Sequence, residues 1–316
     1  MAQLPFTAPW LLAPMEGVTD PTFRDVVLGR HTPQDLGGAF TEFLRVLDRP
    51  RSRVEIQRHL GPHRWPIPVG LQLMGANLEA LAGSAQIATE LGVPVIDLNF
   101  GCPAKGALRG CAGSAQLKDP SGLEAVVRSV VSAVNGQVPV SAKLRAGFDH
   151  ADQVEDLARA AEAGGASLIT LHCRTKQEGY CPEVDWTRIA RAAAAVEVPL
   201  CGNGSVQTHA DLERMRLETG CSFVMVGRGA LANPWIFGGY KASWAESARF
   251  FLDYYDAMVV GSKAPPKGAI SRLKQLLRHW TAGSLVQEKR QEWLRETDPR
   301  SLLERLHALA AQDLSD

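Results

Sequence analysis

The chain has 316 residues, 45% of them hydrophobic, and its 34 lysines and arginines balance 34 aspartates and glutamates. A net charge near zero argues against a strongly basic protein that binds nucleic acid over its whole surface. It is compatible with a local basic patch. No apolar run approaches the roughly 20 residues of a membrane helix, and the amino terminus lacks a signal-peptide pattern. We therefore expect a cytoplasmic protein with one large α/β domain and a smaller domain.

Short apolar runs recur along the chain, and they read as buried parallel strands because they are rich in β-branched residues. There are eight, at residues 10–13, 38–41, 69–74, 95–99, 138–143, 167–172, 198–201 and 223–226. Helical patterns lie between them at residues 78–91, 123–134, 152–163, 185–194 and 209–218. This order predicts an α/β fold of the (β/α)8 TIM-barrel type. A doubly wound sheet is the alternative, but it rarely needs eight consecutive parallel strands.

The pattern changes after residue 241, because no strand-like run follows. Helices are predicted at residues 244–258, 267–279, 284–295 and 299–311, with a turn-rich connection, GSKAPP, at residues 261–266. We therefore place a barrel at residues 1–241 and an all-helical domain at residues 242–316.

The fourth predicted strand ends in the most informative motif of the chain, DLNFGCP at residues 97–103. Gly101 and Pro103 turn the chain out of the strand into a stiff loop. Cys102 is thereby held at the carboxyl end of a strand, where barrel enzymes perform their chemistry. A thiol there can donate a proton, attack a carbonyl or fill space. The six cysteines contain no CxxC pair, so we expect neither a zinc ribbon nor a disulfide framework, and no metal site.

Polar residues also lie on other predicted strands. Lys143 is on an apolar strand, where a lysine needs a partner or a function, such as a Schiff base, a phosphate contact or a reduced cofactor. Gln72 offers both a donor and an acceptor to the edge of a heterocycle. His172, at the end of the sixth strand, is able to bind phosphate or a ring carbonyl, or to titrate. All three side chains also have structural interpretations.

Glycine-rich turns follow the last two predicted strands, at residues 203–204 and 227–229. Such turns let backbone N–H groups approach a ligand closely, and the loops after strands seven and eight are the usual phosphate site of a barrel. Arg228 adds a charged donor to this site. The two turns together favour phosphate binding over a purely structural role.

Taken jointly, these motifs resemble the tRNA-dihydrouridine synthase family over nearly the whole chain. The resemblance is carried by LAPMEGVTD (12–20), TEF (41–43), QLMG (72–75), DLNFGCP (97–103) followed by Lys105, KLR (143–145), HCRT (172–175), NG (203–204) and GRGA (227–230). It implies an FMN-binding barrel with a helical tRNA-binding domain behind it. In this family NADPH reduces FMN, the flavin passes hydride to carbon 6 of uracil, and a cysteine protonates carbon 5.

The resemblance also implies roles for individual residues. Cys102 corresponds to the general acid, and Asn99 to a residue that positions the uracil. The expected cofactor contacts are Pro14, Met15, Glu16, Gln72, Lys143, His172, Asn203, Gly204, Ser205, Gly227 and Arg228. Two features depart from the family pattern, namely Phe100 and the run GCAGSA at residues 110–115.

Within the family, the chain looks most like the bacterial subgroup that modifies uridine 16. The signature of that subgroup falls on Arg45, Asn99, Arg145, Arg272, Lys274 and Arg295, which we expect to contact RNA. We further expect a monomer that acts on tRNA, and a Cys102 loop that moves to close on the target base.

Three other functions are compatible with parts of the sequence. A flavin barrel that acts on a free pyrimidine, similar to dihydroorotate dehydrogenase, also pairs a flavin with a proton-transfer residue, although a free base needs no helical domain. An aldolase would use Lys143 as a Schiff base. An RNA-binding module without catalysis would not need Cys102, Lys143 and Gln72.

Overall fold

The computed structural model describes residues 3–284, 287–296 and 298–312. Eight parallel strands close into a barrel in which each strand pairs with the next and the eighth pairs with the first. They are β1 (Trp10–Leu12), β2 (Gly38–Arg45), β3 (Val69–Met74), β4 (Ile96–Asn99), β5 (Val140–Arg145), β6 (Leu168–His172), β7 (Leu200–Asn203) and β8 (Phe223–Val226). Each predicted run carries one of these strands, and the predicted (β/α)8 barrel is confirmed.

Helices surround the barrel. They are α1 (Pro21–Leu28), α2 (Arg53–Leu60), α3 (Leu78–Glu90), α4 (Lys105–Arg109), α5 (Pro120–Val134), α6 (Val154–Ala163), α7 (Thr187–Ala194), α8 (His209–Thr219) and α9 (Arg228–Ala232). The five predicted helices coincide with α3 and α5–α8. The other four, which have five to eight residues, are not among the predicted helices. For example, α2 buries only Ile56 and therefore shows no apolar stripe, although Ser52 and Glu55 form a capping box at its start.

The predicted ends of elements differ most from the structure at two places on the carboxyl edge of the barrel. Strand β2 continues to Arg45 rather than ending at residue 41, because its pairing with β3 shifts register between Phe40 and Phe43 and then resumes. Residues 228–229, predicted as part of a turn, instead begin helix α9 directly after Gly227. Both differences bring side chains of these segments to the mouth of the barrel.

Side chains alternate between the inside and the outside of the barrel along each strand, so inward residues form layers. The lowest layer is apolar and contains Leu11, Phe40, Val95, Leu168, Cys201 and Met225. The Phe6 ring closes the bottom by packing edge-on against Phe40 and Phe223, at 5.8 and 5.5 Å. A fully buried polar layer follows, made by Gln72, Asp97, Ser141 and Thr170. The same alternation brings Asn99, Lys143, His172 and Asn203 to the upper end.

After β8, all regular elements in the described part of the chain are helical. Those that follow α9 include α10 (Trp244–Asp256), a π-helical turn (Ala257–Gly261), α11 (Pro266–Leu277), α12 (Gln287–Arg295) and α13 (Pro299–Ala310). Helix α12 begins at Gln287, later than the predicted 284, and residues 285–286 of that prediction lie outside the described residues. Trp280 is fully buried against Trp235 and Phe250, which joins this segment to the barrel. The boundary at residue 241 stays a prediction. None of the described helices is both long and apolar enough to cross a membrane.

Candidate active site

A cavity of about 700 Å³ opens at the carboxyl ends of the strands. Most residues predicted for a site lie on its wall: Pro14, Met15, Glu16, Asn99, Cys102, Lys143, Arg145, His172, Asn203, Gly204, Ser205, Gly227 and Arg228. The others, Gln72, Arg45, Arg272, Lys274 and Arg295, do not line it. His279 and Thr281, from the segment after α11, complete the wall. The helical part of the chain therefore contributes directly to the cavity.

The turn that carries Cys102 is held by hydrogen bonds on both sides of the cysteine. The side-chain Oδ1 of Asn99 accepts the backbone N–H groups of Gly101 and Cys102, at 3.0 and 2.9 Å. The carbonyl of Cys102 accepts the backbone N–H and the hydroxyl of Ser114, at 3.0 and 2.9 Å. Burial raises the pKa of the Cys102 thiol, which keeps it protonated at neutral pH. A half-buried, protonated thiol on a fixed turn suits a proton donor.

Behind this turn, buried polar groups connect three strands. Asn99 donates from Nδ2 to Gln72 Oε1 at 2.8 Å, and Gln72 donates from Nε2 to Asp97 Oδ2 at 2.6 Å. The hydroxyl of Ser141 donates to the other oxygen of Asp97 at 2.6 Å. Gln72 therefore lies beneath the cavity floor, with both ends of its amide engaged. Its predicted contact with a cofactor stays a prediction.

Lys143 and Asn203 lie side by side on the cavity wall. Lys143 Nζ donates to Asn203 Oδ1 at 3.1 Å, and Asn203 Nδ2 donates to the carbonyl of Met225 at 2.7 Å. These bonds fix the orientation of the amide, so the lysine points along the inner wall of the barrel. Burial and the nearby Arg145 guanidinium lower the pKa of Lys143 to about 8. The side chain is therefore a cation at neutral pH that loses its proton slightly above it.

His172 has a defined protonation state. Its Nδ1 accepts the backbone N–H of Arg174 at 3.2 Å, so in the neutral ring the proton is on Nε2. Burial and the cations around it, Lys143 first among them, hold the pKa of His172 well below its ordinary value of 6.5. His172 is thus a neutral hydrogen-bond donor on the cavity wall. It does not act as a second cation.

The backbone of the turn after β7 has positive φ at two neighbouring residues, and only the first of them is a glycine. Gly204 has φ +127°, and a Cβ there would lie 2.6 Å from the Cys173 sulfur. Ser205 also has positive φ, +57°. Its hydroxyl accepts a hydrogen bond from Arg174 Nη2 at 2.7 Å, while Nε and Nη1 of Arg174 have no partner among the described residues. A buried cation with unused donors thus lies directly behind this turn.

Arg228 also lies on the wall of the cavity. Its guanidinium is 4.6 Å from the centre of the Tyr180 ring, and Arg145 is 5.4 Å from the same ring. Tyr180 is 60% exposed, so both arginines meet the ring at the rim of the cavity. Positive charge therefore surrounds the part of the cavity formed by the loops after β6, β7 and β8.

Comparisons with known proteins decide between the functions that this cavity could support. The sequence matches the family model described as dihydrouridine synthase (Dus) over residues 11–305. This chain belongs to the dihydrouridine synthase family. Relatives named tRNA-dihydrouridine(16) synthase, from Aquipseudomonas alcaligenes and Pseudomonas putida, are 38% and 36% identical to it over 84% of this chain, and over 88% and 86% of their own. A probable tRNA-dihydrouridine synthase from Rhodobacter capsulatus is 33% identical over 93% of this chain and 92% of its own.

Solved structures add support for the fold alone. Histamine dehydrogenase from Rhizobium sp. 4-9 is similar with a TM-score of 0.55 at 12% identity, covering 78% of this chain and 48% of that protein. Dihydrouridine synthases are flavin-dependent oxidoreductases, and this chain is a member of that family.

The cavity of this synthase fits a flavin nucleotide on its own chemistry. A flat heterocycle needs directional donors along its edge, which His172 and Lys143 supply, and a phosphate needs convergent cationic and backbone donors. Arg228 and the Gly204–Ser205 turn meet the second requirement, and the unused N–H groups of buried Arg174 lie behind that turn. No cluster of three or more metal-ligating side chains occurs among the residues that the structure describes.

Five of the six residues predicted to contact RNA donate hydrogen bonds within the chain: Arg45, Asn99, Arg145, Arg272 and Lys274. Arg145 is only 3% exposed and donates to three carbonyls, those of Gly101, Thr175 and Gly179. It therefore ties the Cys102 turn to the loop after β6. Arg45 similarly donates to the carbonyl of Gly106 in α4 at 2.8 Å.

The three basic residues of the helical segment that are predicted to contact RNA, Arg272, Lys274 and Arg295, have different environments. Arg272 pairs with Asp20 at 2.5 Å and donates to the carbonyl of Gly17, next to a second pocket of about 250 Å³ between barrel and helices. Lys274 donates to the carbonyls of Leu294 and Glu296 and thus holds α11 against the end of α12. Arg295 lies exposed on α12. Contact of these residues with RNA stays a prediction.

Several residues of the site are missing from the sequence-based prediction. Asp97 could have been found, because it lies two positions before Asn99 and so points to the same inner face of the barrel. Arg174 follows His172 by two positions in a motif that the resemblance already included. Tyr180, His279 and Thr281 carry no local signal, because they reach the cavity only through the packing of loops and helices.

Proposed function

We propose that this protein reduces uridine 16 of tRNA to 5,6-dihydrouridine, with FMN as bound cofactor and NADPH as reductant. One observation carries the proposal: a protonated thiol on a fixed turn faces the same cavity as the cationic and neutral donors that suit a flavin. The names of the relatives, tRNA-dihydrouridine(16) synthase, support the substrate and the position. The cytoplasm, where tRNA is found, is the expected location.

When bound, FMN supplies the hydride that saturation of the uracil 5,6 double bond requires. Cys102 supplies the accompanying proton to carbon 5, and the resulting thiolate regains a proton from solvent. Asn99 holds the turn that presents this thiol. Lys143 supplies a positive charge that stabilises the negative charge of a bound, reduced flavin. Arg228, with Arg174 behind Ser205, neutralises the phosphate. A uridine inside folded tRNA must be swung out of its stack to reach the cavity.

The proposed function is tested by mapping dihydrouridine in tRNA from a strain that lacks this protein. We expect position 16 alone to lose the modification, and the purified yellow protein to restore it with NADPH. Reduction of free uracil or orotate without reduction of tRNA would instead support the free-pyrimidine alternative. A colourless protein that never binds flavin would exclude both.

Replacement of Arg272 by alanine tests whether this residue contacts tRNA. If it neutralises a phosphate, binding weakens for every tRNA and the slope of log K against log salt decreases by about 1. Filter binding at several salt concentrations measures this slope. The control is Asp20→Asn, which breaks the ion pair but keeps the cation and a good helix cap. If both variants weaken binding equally with an unchanged slope, Arg272 acts as a link between barrel and helices.

A further inference from the structure

Asp97 is the most deeply buried acid of the barrel interior, and the proposed reaction does not use it directly. It lies wholly inside, with Gln72 and Ser141, and it does not line the cavity. A buried carboxylate is costly unless hydrogen bonds compensate it. Here the amide of Gln72 and the hydroxyl of Ser141 each donate to one of its oxygens at 2.6 Å. A carboxylate that is costly to bury and lies away from the cavity is expected to have a role other than contact with substrate.

The hydrogen bonds that connect Asp97, Gln72 and Asn99 to the Cys102 turn allow only one assignment of donors and acceptors. Asn99 accepts two backbone N–H groups through Oδ1, so its Nδ2 must face Gln72. Gln72 must then present Oε1 to Asn99 and Nε2 to the next group. That group has to be an acceptor, and an ionised carboxylate is a pure acceptor. An apolar residue at position 97 would leave the Gln72 NH₂ group unpaired and free its amide to rotate.

We propose that Asp97 is a positioning residue for the proton donor: it orients Gln72, which orients Asn99, which holds the backbone N–H groups of Gly101 and Cys102. The thiol is thereby kept at one place on the cavity wall. The carboxylate never contacts substrate or cofactor, because Gln72 and Asn99 lie between it and the cavity. The catalytic meaning of this arrangement rests on the proposed function, but the arrangement itself does not.

The test compares four variants by two measurements. Asp97→Ala removes the acceptor, and Asp97→Asn restores it, because Ser141 is able to turn its hydroxyl and accept from the new amide. Gln72→Met breaks the same hydrogen-bonded chain one step nearer to the cysteine. Ser141→Ala is the matched control, because it removes a bond to Asp97 that does not lead to the turn. The measurements are amide hydrogen exchange of residues 100–102, since Pro103 has no amide hydrogen, and steady-state reduction of tRNA.

We expect Asp97→Ala and Gln72→Met to speed exchange at Gly101 and Cys102 at least tenfold. We expect them to lower kcat about tenfold, with a smaller change in KM. Asp97→Asn and Ser141→Ala should stay within threefold of the wild-type protein in both measurements. If Asp97→Ala does not fold, Gln72→Met carries the test.

Unchanged exchange at residues 101–102 in the folded Asp97→Ala or Gln72→Met protein would overturn the inference, and so would an equal effect of Ser141→Ala. Failure of the proposed function is recognised separately. In that case the wild-type protein makes no dihydrouridine, while the exchange measurements still decide whether Asp97 holds the turn.

Discussion

Cys102→Ala is expected to slow uridine reduction by about 10²–10⁴-fold, the range typical for loss of a general acid. Flavin binding and reduction of the flavin by NADPH should be unchanged, because in the proposed reaction the thiol takes part only in the second half. Alanine keeps the backbone of the turn, including the N–H that Asn99 holds. Rapid mixing of the reduced protein with tRNA lacking dihydrouridine separates this step from the first.

The matched control is Cys111→Ala. Cys111 lies nine positions after Cys102, is exposed and has φ +50°, so alanine changes the side chain without adding backbone strain beyond that already present. Its reduction rate should equal that of the wild-type protein. If Cys111→Ala were as slow as Cys102→Ala, or if Cys102→Ala were fully active, Cys102 would not be the proton donor.

The barrel could be predicted from the sequence because short apolar runs alternate with helical patterns, and within each strand every second side chain points into the barrel. The strand around residues 95–99 illustrates this: Val95 lies in the apolar layer, Asp97 in the polar layer and Asn99 on the cavity wall. The same spacing links Ser141 to Lys143 on the next strand. Residues two positions apart on one strand therefore point into the barrel at successive heights along its axis. This spacing is visible in the sequence.

The roles of the arginines could not be predicted in this way. The resemblance to the family implies that Arg45 and Arg145 contact RNA, and in the folded chain both also donate to backbone carbonyls around the Cys102 turn. A long side chain reaches partners that are distant in sequence, such as Gly179 for Arg145. For the same reason His279 and Thr281 escape prediction, because the packing of the helical segment on the barrel brings them to the cavity.

Lys143→Met should lower the rate of flavin reduction by about 10²–10³-fold, the loss typical when one group that stabilises developing negative charge is removed. The wild-type rate should also depend on pH in a defined direction. Lysine is charged below its pKa, which burial lowers to about 8, so the rate should fall as pH rises through that region. An anionic cofactor beside the lysine moves this fall to higher pH, because it favours the charged form.

Stopped-flow reduction by NADPH between pH 6 and pH 10 measures this dependence, and flavin absorbance confirms that each variant is loaded. Lys143→Arg is the informative control, because guanidinium stays charged over the whole range. It should keep more activity than Lys143→Met and lose the fall at high pH, whereas Lys143→Met should be slow at every pH. If the fall persisted in Lys143→Arg, another group would titrate, and the charge of Lys143 would not drive the first half of the reaction.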